Sequence, residues 1–474
     1  MNLTHSDVVI LGGGVAGLTS AVALSERGLR VTLLERESLL GGRARSWTDE
    51  ITGDRVDIGP HILLTEYRNF LQLLRRLGTE DQIVWQQSLP LSDPPHSVTM
   101  HARHLPAPLQ FLPSLLRIRQ LSLLDKLSNL PVLWQALRLD RATMLKLDSI
   151  SALDHLQQMG VSKAAIDWFW RTASMTIHNV PLEQCSAGAM LHFIQYMGGR
   201  SGYQVGFAAV GLGDLYAPPA QAAITAAGSS VRLNADVVSL ARTAPERFQV
   251  QLADGSQIDA RWCVAALPPQ DLHRLLPPEW LRHKAFADLA SFEPSPYISS
   301  YLWFDRKLTR ERFWARVWSP DTLNYDCYDL SNIRPDWSER PSVITSNIIY
   351  SKQAADLSDA EIIERTLGEL ADFIPDISQA RLVHARVHRI PMAKPAPQPG
   401  TEQKRPEVNS PEPGFFLAGD WVATGLPGSM ESAARAGWLA AEAVLAAAGR
   451  PESLAAPVPE LQGFARVLAG GRKK

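Results

Sequence analysis

The stretch that decides the fold is Val8-Val9-Ile10-Leu11-Gly12-Gly13-Gly14-Val15-Ala16-Gly17, near the start of the chain. The β-branched run predicts a buried parallel strand, and the Gly-x-Gly-x-x-Gly spacing predicts a tight turn into a helix whose free N–H groups favour a pyrophosphate. A second strand is predicted over Arg30 to Leu34, and Glu35 at its end can accept hydrogen bonds from ribose hydroxyls. This order predicts a dinucleotide-binding unit with the binding residues Gly12, Gly14, Val15, Ala16, Gly17, Glu35 and Arg36.

A second glycine pair and the far end of the chain indicate which dinucleotide is bound. Gly41-Gly42-Arg43-Ala44-Arg45 resembles the loop that wraps the pyrophosphate in the large family of flavin amine oxidases and carotenoid desaturases. Phe415 to Asp420 resembles the last flavin strand of that family, and Gly425 to Ala433 resembles the turn into its flavin-edge helix. The resemblance implies FAD, with further contacts from Gly42, Arg43, Val237, Ala266, Gly419, Asp420, Gly428, Ser429 and Met430.

Length and composition indicate a folded enzyme. The chain has 474 residues, 45% of them hydrophobic and 20% charged, with a net charge of −2, which predicts two domains and no nucleic-acid partner. Its three cysteines lack metal-ligand spacing and lie away from the C-terminal flavin motif, so we expect no metal site and non-covalent FAD. Without a signal pattern or an apolar run of transmembrane length, the sequence predicts a cytoplasmic protein, either free or attached peripherally to the inner face of the membrane.

The resemblance implies an α/β fold in which a Rossmann-like FAD-binding domain of the glutathione-reductase type carries an inserted, mixed α+β substrate domain. We assign 1–75, 220–269 and 403–449 to the FAD domain, and 76–219 and 270–402 to the substrate domain. Because residues 450–474 are rich in proline and end in Gly-Gly-Arg-Lys-Lys, we expect them to form a flexible tail.

Residues expected near the flavin ring indicate which members of the family this chain resembles most. Asp57-Ile58-Gly59-Pro60-His61, with Tyr67 six residues on, resembles plant-type phytoene desaturases and bacterial hydroxysqualene dehydroxylases. This resemblance implies that Gly59, Pro60 and His61 bind the cofactor. The His61 imidazole, whose charge is adjustable near neutral pH, either takes part in catalysis or only holds the loop. The stretch from Trp421 to Pro427 looks more like the dehydroxylases, whereas Pro60 and Ser432 depart from the usual glutamine and glycine.

The resulting prediction is hydride transfer at flavin N5 on a long isoprenoid lipid, with dehydroxylation of hydroxysqualene placed first and phytoene or carotene desaturation as the alternative. A flavin amine oxidase is the alternative from another class, although Ser429 stands where those enzymes carry a cage tyrosine. Since no second glycine fingerprint follows a strand, electrons are expected to pass to or from a quinone, oxygen or a separate reductase.

The leucine-rich segment 105–139 permits two interpretations. Prolines divide it into short helices, and Arg117, Arg119, Lys126 and Arg138 are interspersed among the leucines. It is either a peripheral membrane contact that gives a hydrocarbon a dry entrance or a set of ordinary core helices. Further along the chain, His192, Tyr196 and Tyr203 are candidates for the cavity wall.

Overall fold

The computed structural model describes residues 3–93, 96–101 and 105–470. Its strands are β1 (Leu3–Leu11), β2 (Val31–Leu34), β3 (Ser46–Thr48), β4 (Arg55–Asp57), β5 (Leu63–Leu64), β6 (Ile83–Gln86), β7 (Ser88–Asp93), β8 (His96–His101), β9 (Val205–Ala208), β10 (Ser230–Arg232), β11 (Val237–Ala244), β12 (Arg247–Leu252), β13 (Gln257–Ala265), β14 (Pro294–Phe304), β15 (Phe313–Arg316), β16 (Asn324–Asp329), β17 (Val343–Ile349), β18 (Leu382–Pro395) and β19 (Phe415–Leu417).

The α-helices are α1 (Val15–Ser25), α2 (Arg68–Leu77), α3 (Leu112–Leu116), α4 (Leu123–Leu127), α5 (Leu130–Leu137), α6 (Arg141–Leu147), α7 (Ala152–Gln158), α8 (Lys163–Ala165), α9 (Arg171–Ala173), α10 (Ala187–Gly198), α11 (Ala217–Ala226), α12 (Pro269–Leu275), α13 (Lys284–Ala287), α14 (Leu330–Ile333), α15 (Asp359–Leu370), α16 (Thr401–Lys404), α17 (Met430–Ala447) and α18 (Gly463–Leu468). Two π-helical turns, Ile166–Trp170 and Ser174–His178, flank α9. Among the described residues, no helix combines the length and apolarity needed to cross a membrane.

The first sheet carries the predicted nucleotide motif. Its strand order is β10-β2-β1-β13-β12-β11, and β19 pairs with the C-terminal end of β13. The strands β10, β2, β1, β13 and β19 run parallel, and β11 and β12 form an antiparallel hairpin at one edge. The strand Val8–Leu11 has no exposed side chain, as expected for a parallel strand covered on both faces. The α/β, Rossmann-like fold class is therefore confirmed.

Two helices from opposite ends of the sequence pack against each other beside this sheet. Helix α1 follows the glycine turn, and α17 comes more than 400 residues later. They approach closely at Gly437, where a Cβ atom would lie only 2.5 Å from the Ala16 carbonyl oxygen. The Ser20 hydroxyl also donates to the Gly437 carbonyl at 2.9 Å. These contacts bring the N-terminal glycine motif and the C-terminal flavin-edge motif together.

The second sheet has the order β18-β14-β17-β16-β15-β7-β8, in which β15 and β7 are parallel and the other pairs antiparallel. Successive side chains of each strand point alternately to the two faces of this sheet. In β17, Ile344 and Ile348 face a core to which α15 contributes Leu370 and Ile362, while Asn347 and Ile349 lie on the opposite face. That opposite face borders the large cavity described below, which residues of α3, α4, α5, α9 and α10 also line.

The prediction of a flexible tail is wrong for residues 450–470. Leu454 is buried, and its N–H and that of Ala455 donate to the Glu442 carboxylate at 2.5 and 2.7 Å. The Ala456 N–H donates to Asn69 at 2.9 Å, and α18 packs beside α5. The composition did not indicate these contacts, because Asn69 and α5 are distant in the sequence and Glu442 lies on the preceding helix α17. Residues 471–474 lie outside the described residues. The predicted domain boundaries stay a prediction.

Candidate active site

One cavity of about 1540 Å³ joins the glycine loops of the first sheet to the leucine-rich segment. Ligand pockets usually measure about 300–1,000 Å³, so this cavity has room for a second ligand beside a dinucleotide. Of the residues predicted to bind the cofactor, all but Gly17 and Gly59 border it. Tyr196 borders the cavity as well, whereas His192 and Tyr203 do not.

The glycine turn has the close contacts that its motif predicts. Gly12 has a φ of 102°, and a Cβ there would lie 2.7 Å from the Ala266 carbonyl oxygen. A Cβ on Gly17 would lie 1.9 Å from the Gly12 carbonyl oxygen. Gly14 differs, because a Cβ there would meet nothing within 4 Å and would project into open space at the start of α1. These positions fit a dinucleotide cradle, with Gly12 and Gly17 shaping the turn and Gly14 leaving room for the ligand.

The second glycine pair rests directly on the first turn. The Gly41 N–H donates to the Gly13 carbonyl at 2.9 Å. Gly42 has a φ of 56°, and a Cβ atom added to it would lie 3.2 Å from the Gly14 Cα. Glu35 is held at the end of β2, where one carboxylate oxygen accepts from the Gly13 N–H at 2.8 Å. The carboxylate therefore stands beside the turn, where ribose hydroxyls are expected.

Arg43 and Asp420, each predicted from the resemblance to contact FAD, form an ion pair across 377 residues. Their shortest Nη2–Oδ1 distance is 2.6 Å. Burial alone would raise the pKa of Asp420, but the Arg43 guanidinium, with Arg405 and Lys394 nearby, holds that pKa below its usual value. Arg405 also donates to the Asp420 backbone carbonyl at 2.6 Å. This network places fixed charge on the wall of the cavity, next to the second glycine pair.

The His61 side chain is open to the cavity but enclosed by protein around it. Its Nδ1 lies 2.9 Å from the Gly59 carbonyl oxygen, a contact in which Nδ1 donates and Nε2 is left as an acceptor. Burial lowers the pKa of His61 below its ordinary value. This shift favours the neutral form of the imidazole.

Several hydrogen bonds fix the start of α17. The Ser429 hydroxyl accepts from the Ser432 N–H at 3.2 Å and caps the helix, and Ser432, the residue that departs from the family glycine, shares a 2.7 Å hydrogen bond with Thr424. Glu431 accepts from the free N–H groups of Asn69 and Phe70 at the start of α2. Burial nevertheless raises the pKa of Glu431 to about 7.

Lys394 is a charged group of the site that sequence reasoning missed. It lies at the end of β18 and borders the cavity, and its Nζ donates to the carbonyls of Ile177 and Gly428 at 3.2 Å each. Burial lowers its pKa to about 8. A single lysine in an alternating strand carries no local signal that could have identified it.

The second sheet also contributes polar side chains that the sequence did not single out. Tyr297, Asp326 and Tyr328 border the cavity, and the Tyr328 hydroxyl donates to Asp326 Oδ2 at 2.7 Å. Within the described ranges, no group of three or more histidine, cysteine, aspartate or glutamate side chains is placed to hold a metal ion.

The leucine-rich segment is only partly a core. Val132, Leu137 and Leu121 are buried, whereas Leu124 is 78% exposed and Leu123 63%. Many large apolar side chains of the segment are exposed, and for them the interpretation as core helices is wrong. They are Leu105, Leu109, Leu112, Leu116, Leu123, Leu124, Leu127, Leu130 and Trp134. Several of them also border the cavity, so the apolar surface and the cavity are continuous.

Comparison with known proteins agrees with this geometry. The chain belongs to the family described as flavin containing amine oxidoreductase, which matches residues 15–445. It is 28% identical over 457 residues to the 15-cis-phytoene desaturase of Solanum lycopersicum, covering 93% of this chain and 77% of that protein. It is 29% identical over 482 residues to the carotenoid phi-ring synthase of Streptomyces griseus, covering 92% and 87%.

A solved structure of putrescine oxidase bound to putrescine superimposes with a TM-score of 0.71 at 16% identity, covering 94% of this chain and all of that one. At that identity the match supports the fold alone. The family membership identifies the chain as a flavin-containing oxidoreductase.

Proposed function

We propose that this chain is an FAD-dependent oxidoreductase that desaturates a long isoprenoid substrate. The observation that carries the proposal is the continuous cavity, which joins a dinucleotide cradle to an apolar surface. The Trp421 to Pro427 turn favoured dehydroxylation of hydroxysqualene, but the curated relatives reported above are a phytoene desaturase and a carotenoid ring synthase. We therefore place desaturation first and keep dehydroxylation as the competing outcome of the test.

The cofactor would be held without a covalent bond. Cys185, Cys263 and Cys327 are buried, and none of them borders the cavity. The residues that would hold FAD are Gly12, Gly14, Val15, Ala16, Gly17, Glu35, Arg36, Gly42, Arg43, Gly59, Pro60, His61, Val237, Ala266, Gly419, Asp420, Gly428, Ser429 and Met430. When bound, FAD supplies hydride acceptance at its ring.

Residues of the chain would supply the functions that hydride transfer to the flavin does not cover. Desaturation also removes a proton from the neighbouring carbon, and a neutral His61 with Nε2 free is suited to accept it. The free N–H groups at the start of α17 can stabilise negative charge that develops beside Met430 and Ser429. The apolar lining keeps water away from the reacting carbons.

One feature argues against an amine substrate. Ser429 supplies no aromatic ring at the position where amine oxidases are expected to place a cage tyrosine. We propose a quinone, oxygen or a separate reductase as the redox partner.

The exposed leucines would rest on a lipid surface. Helices α3, α4 and α5 present them beside the exposed Arg117, Arg119 and Arg138, a composition suited to an anionic membrane face. The proposed location is the cytoplasm, with peripheral contact to the inner face of the membrane through 105–139. Substrate would then pass from lipid into the cavity without crossing water.

The reaction is tested by anaerobic mixing of holoenzyme with phytoene, with hydroxysqualene or with a primary amine. Desaturation predicts that phytoene bleaches oxidised flavin. Recovery of colour when hydroxysqualene meets reduced flavin would instead establish dehydroxylation. Bleaching by the amine alone would refute an isoprenoid substrate.

The membrane contact is tested by flotation with vesicles of mixed neutral and anionic phospholipid. The double variant Leu124→Ser/Leu127→Ser should lose most of its vesicle binding while keeping its FAD. The matched control is Ile51→Ser/Val383→Ser, since these side chains are 69% and 56% exposed but lie outside the segment. Equal binding by both double variants and the wild type would contradict the proposal.

A further inference from the structure

The short helix α18 near the end of the chain carries an apolar surface that the proposed function does not use. Its side chains Phe464 and Val467 are 52% and 72% exposed. They lie three positions apart and therefore share one side of the helix, whereas Ala465 is completely buried on another side. The helix thus has one face packed in the protein and one apolar face in solvent.

Hydrogen bonds and close packing fix α18 against the leucine-rich segment. The Ala465 N–H donates to the Ala107 carbonyl at 2.8 Å, and a Cβ on Gly463 would lie 2.9 Å from the Ala107 nitrogen. At the other end of the helix, Arg138 donates to the Leu468 carbonyl at 3.2 Å. Because these contacts hold the helix at both ends, its exposed face stays in a fixed place beside 105–139.

The exposed apolar side chains of the protein are concentrated on these two elements. The described part of the chain exposes fifteen large apolar side chains, of which nine belong to 105–139 and two to α18. The four that lie elsewhere are Leu39, Ile51, Val238 and Val383. Single exposed apolar side chains are normal on a protein surface, whereas a group on adjoining elements marks an interaction surface. Phe464 and Val467 therefore belong to such a surface.

The same helix also forms part of the cavity wall. Leu468 borders the cavity together with Trp134 and Leu137 of α5. Trp134 is in addition 49% exposed, so the lining of the cavity continues into the outer surface at this place. An apolar ligand that enters beside α18 would remain in contact with apolar side chains on its way into the cavity.

The charge near α18 favours an anionic lipid surface as the occupant of this face. Arg466 lies between Phe464 and Val467 and is exposed, as is Arg138. In the sequence, residues 461–474 include four basic side chains and no acidic one. Basic residues next to exposed apolar side chains are typical of segments that lie in the headgroup region of anionic membranes.

From these observations we propose that α18 is a second membrane contact, which inserts Phe464 and Val467 into the same lipid surface as the leucine-rich segment and forms one side of the cavity entrance. The inference rests on the proposed membrane contact of 105–139 and extends that contact to a distant part of the chain. Its occupant is a bilayer with anionic headgroups rather than a second copy of the chain.

Flotation with vesicles of phosphatidylcholine and phosphatidylglycerol tests the apolar contact. Phe464→Ser/Val467→Ser should bind about tenfold more weakly than the wild type, equivalent to about 1.4 kcal/mol. The matched control is again Ile51→Ser/Val383→Ser, which should bind like the wild type. Arg466→Gln should weaken binding to these vesicles but not to vesicles of phosphatidylcholine alone. Arg282→Gln, at another exposed arginine, should change neither.

A fluorescent label distinguishes lipid from protein as the occupant. The three native cysteines are buried, so Val467→Cys can be labelled selectively with an environment-sensitive fluorophore. Its emission should shift to shorter wavelength when vesicles are added, whereas the same label on Val383→Cys should not respond. The same shift on raising the protein concentration without vesicles would show that a second copy covers this face, and would overturn the proposal.

The outcomes separate this inference from the proposed function. Wild-type vesicle binding by Phe464→Ser/Val467→Ser, together with loss of binding by Leu124→Ser/Leu127→Ser, would overturn the role of α18 and leave the contact of 105–139 intact. Absence of vesicle binding by the wild type would overturn both. FAD content and circular dichroism establish that each variant is folded.

Discussion

Two glycines of the same turn should respond in opposite ways to a single added methyl group. In Gly17→Ala, the new Cβ would lie 1.9 Å from the Gly12 carbonyl oxygen and 3.3 Å from the Ala266 Cβ. The first contact is with backbone, which cannot rotate away as a side chain could. Overpacking of this kind costs about 1–3 kcal/mol of the free energy of unfolding. We therefore expect Gly17→Ala to be destabilised whether or not cofactor is present.

Gly14→Ala makes no such contact, since nothing lies within 4 Å of the added Cβ and the backbone φ of −81° suits any residue. Without cofactor, its free energy of unfolding should stay within about 0.5 kcal/mol of the wild type. The methyl group would, however, project into the space assigned to the pyrophosphate. Affinity for FAD should fall about tenfold or more, equivalent to about 1.4 kcal/mol, and further in Gly14→Val.

The assay measures chemical unfolding of the FAD-free protein and, separately, FAD affinity by flavin fluorescence. The reasoning predicts a crossed pattern, with stability lost in Gly17→Ala and affinity lost selectively in Gly14→Ala. Full FAD affinity in Gly14→Val would refute the placement of the cofactor at this turn. Wild-type stability in Gly17→Ala would refute the argument from backbone contact.

Three further predictions concern charged and titratable groups. Arg43→Ala should lower the free energy of unfolding by about 1–3 kcal/mol, because the buried Asp420 carboxylate loses its ion-pair partner. In chemical denaturation, the double variant Arg43→Ala/Asp420→Ala should recover part of that loss. Because the pKa of Lys394 is lowered in the fold, the unfolded chain binds more protons between about pH 8 and 10.5. Wild-type stability should therefore rise across that window by up to about 3 kcal/mol relative to Lys394→Met, and parallel pH profiles would contradict this. His61→Ala should lower kcat about 100-fold if its imidazole accepts the proton, whereas unchanged turnover and flavin potential would leave only the structural contact with Gly59.

Local chemistry explains why the sequence predicts the nucleotide half of the site. The strand, the glycine turn, helix α1 and Glu35 form one continuous stretch, in which each residue type is required by the backbone at that point. The start of the flavin-edge helix could also be recognised from the sequence, because Ser429 caps α17 within its own turn and an alanine-rich run follows to Ala447. Such features depend on neighbours a few residues apart, so sequence alone determines them.

Contacts between distant segments decided the rest. The period-two pattern of β16 indicates that Asp326 and Tyr328 share a face, but not that this face borders a cavity. The same limit applies to Leu124, since an apolar helix face looks alike whether it meets a core or solvent. The ion pair of Arg43 with Asp420 needs strands from both ends of the chain to meet at one sheet. Burial, charge pairing and exposure are properties of packed surfaces, and those surfaces exist only once the chain has folded.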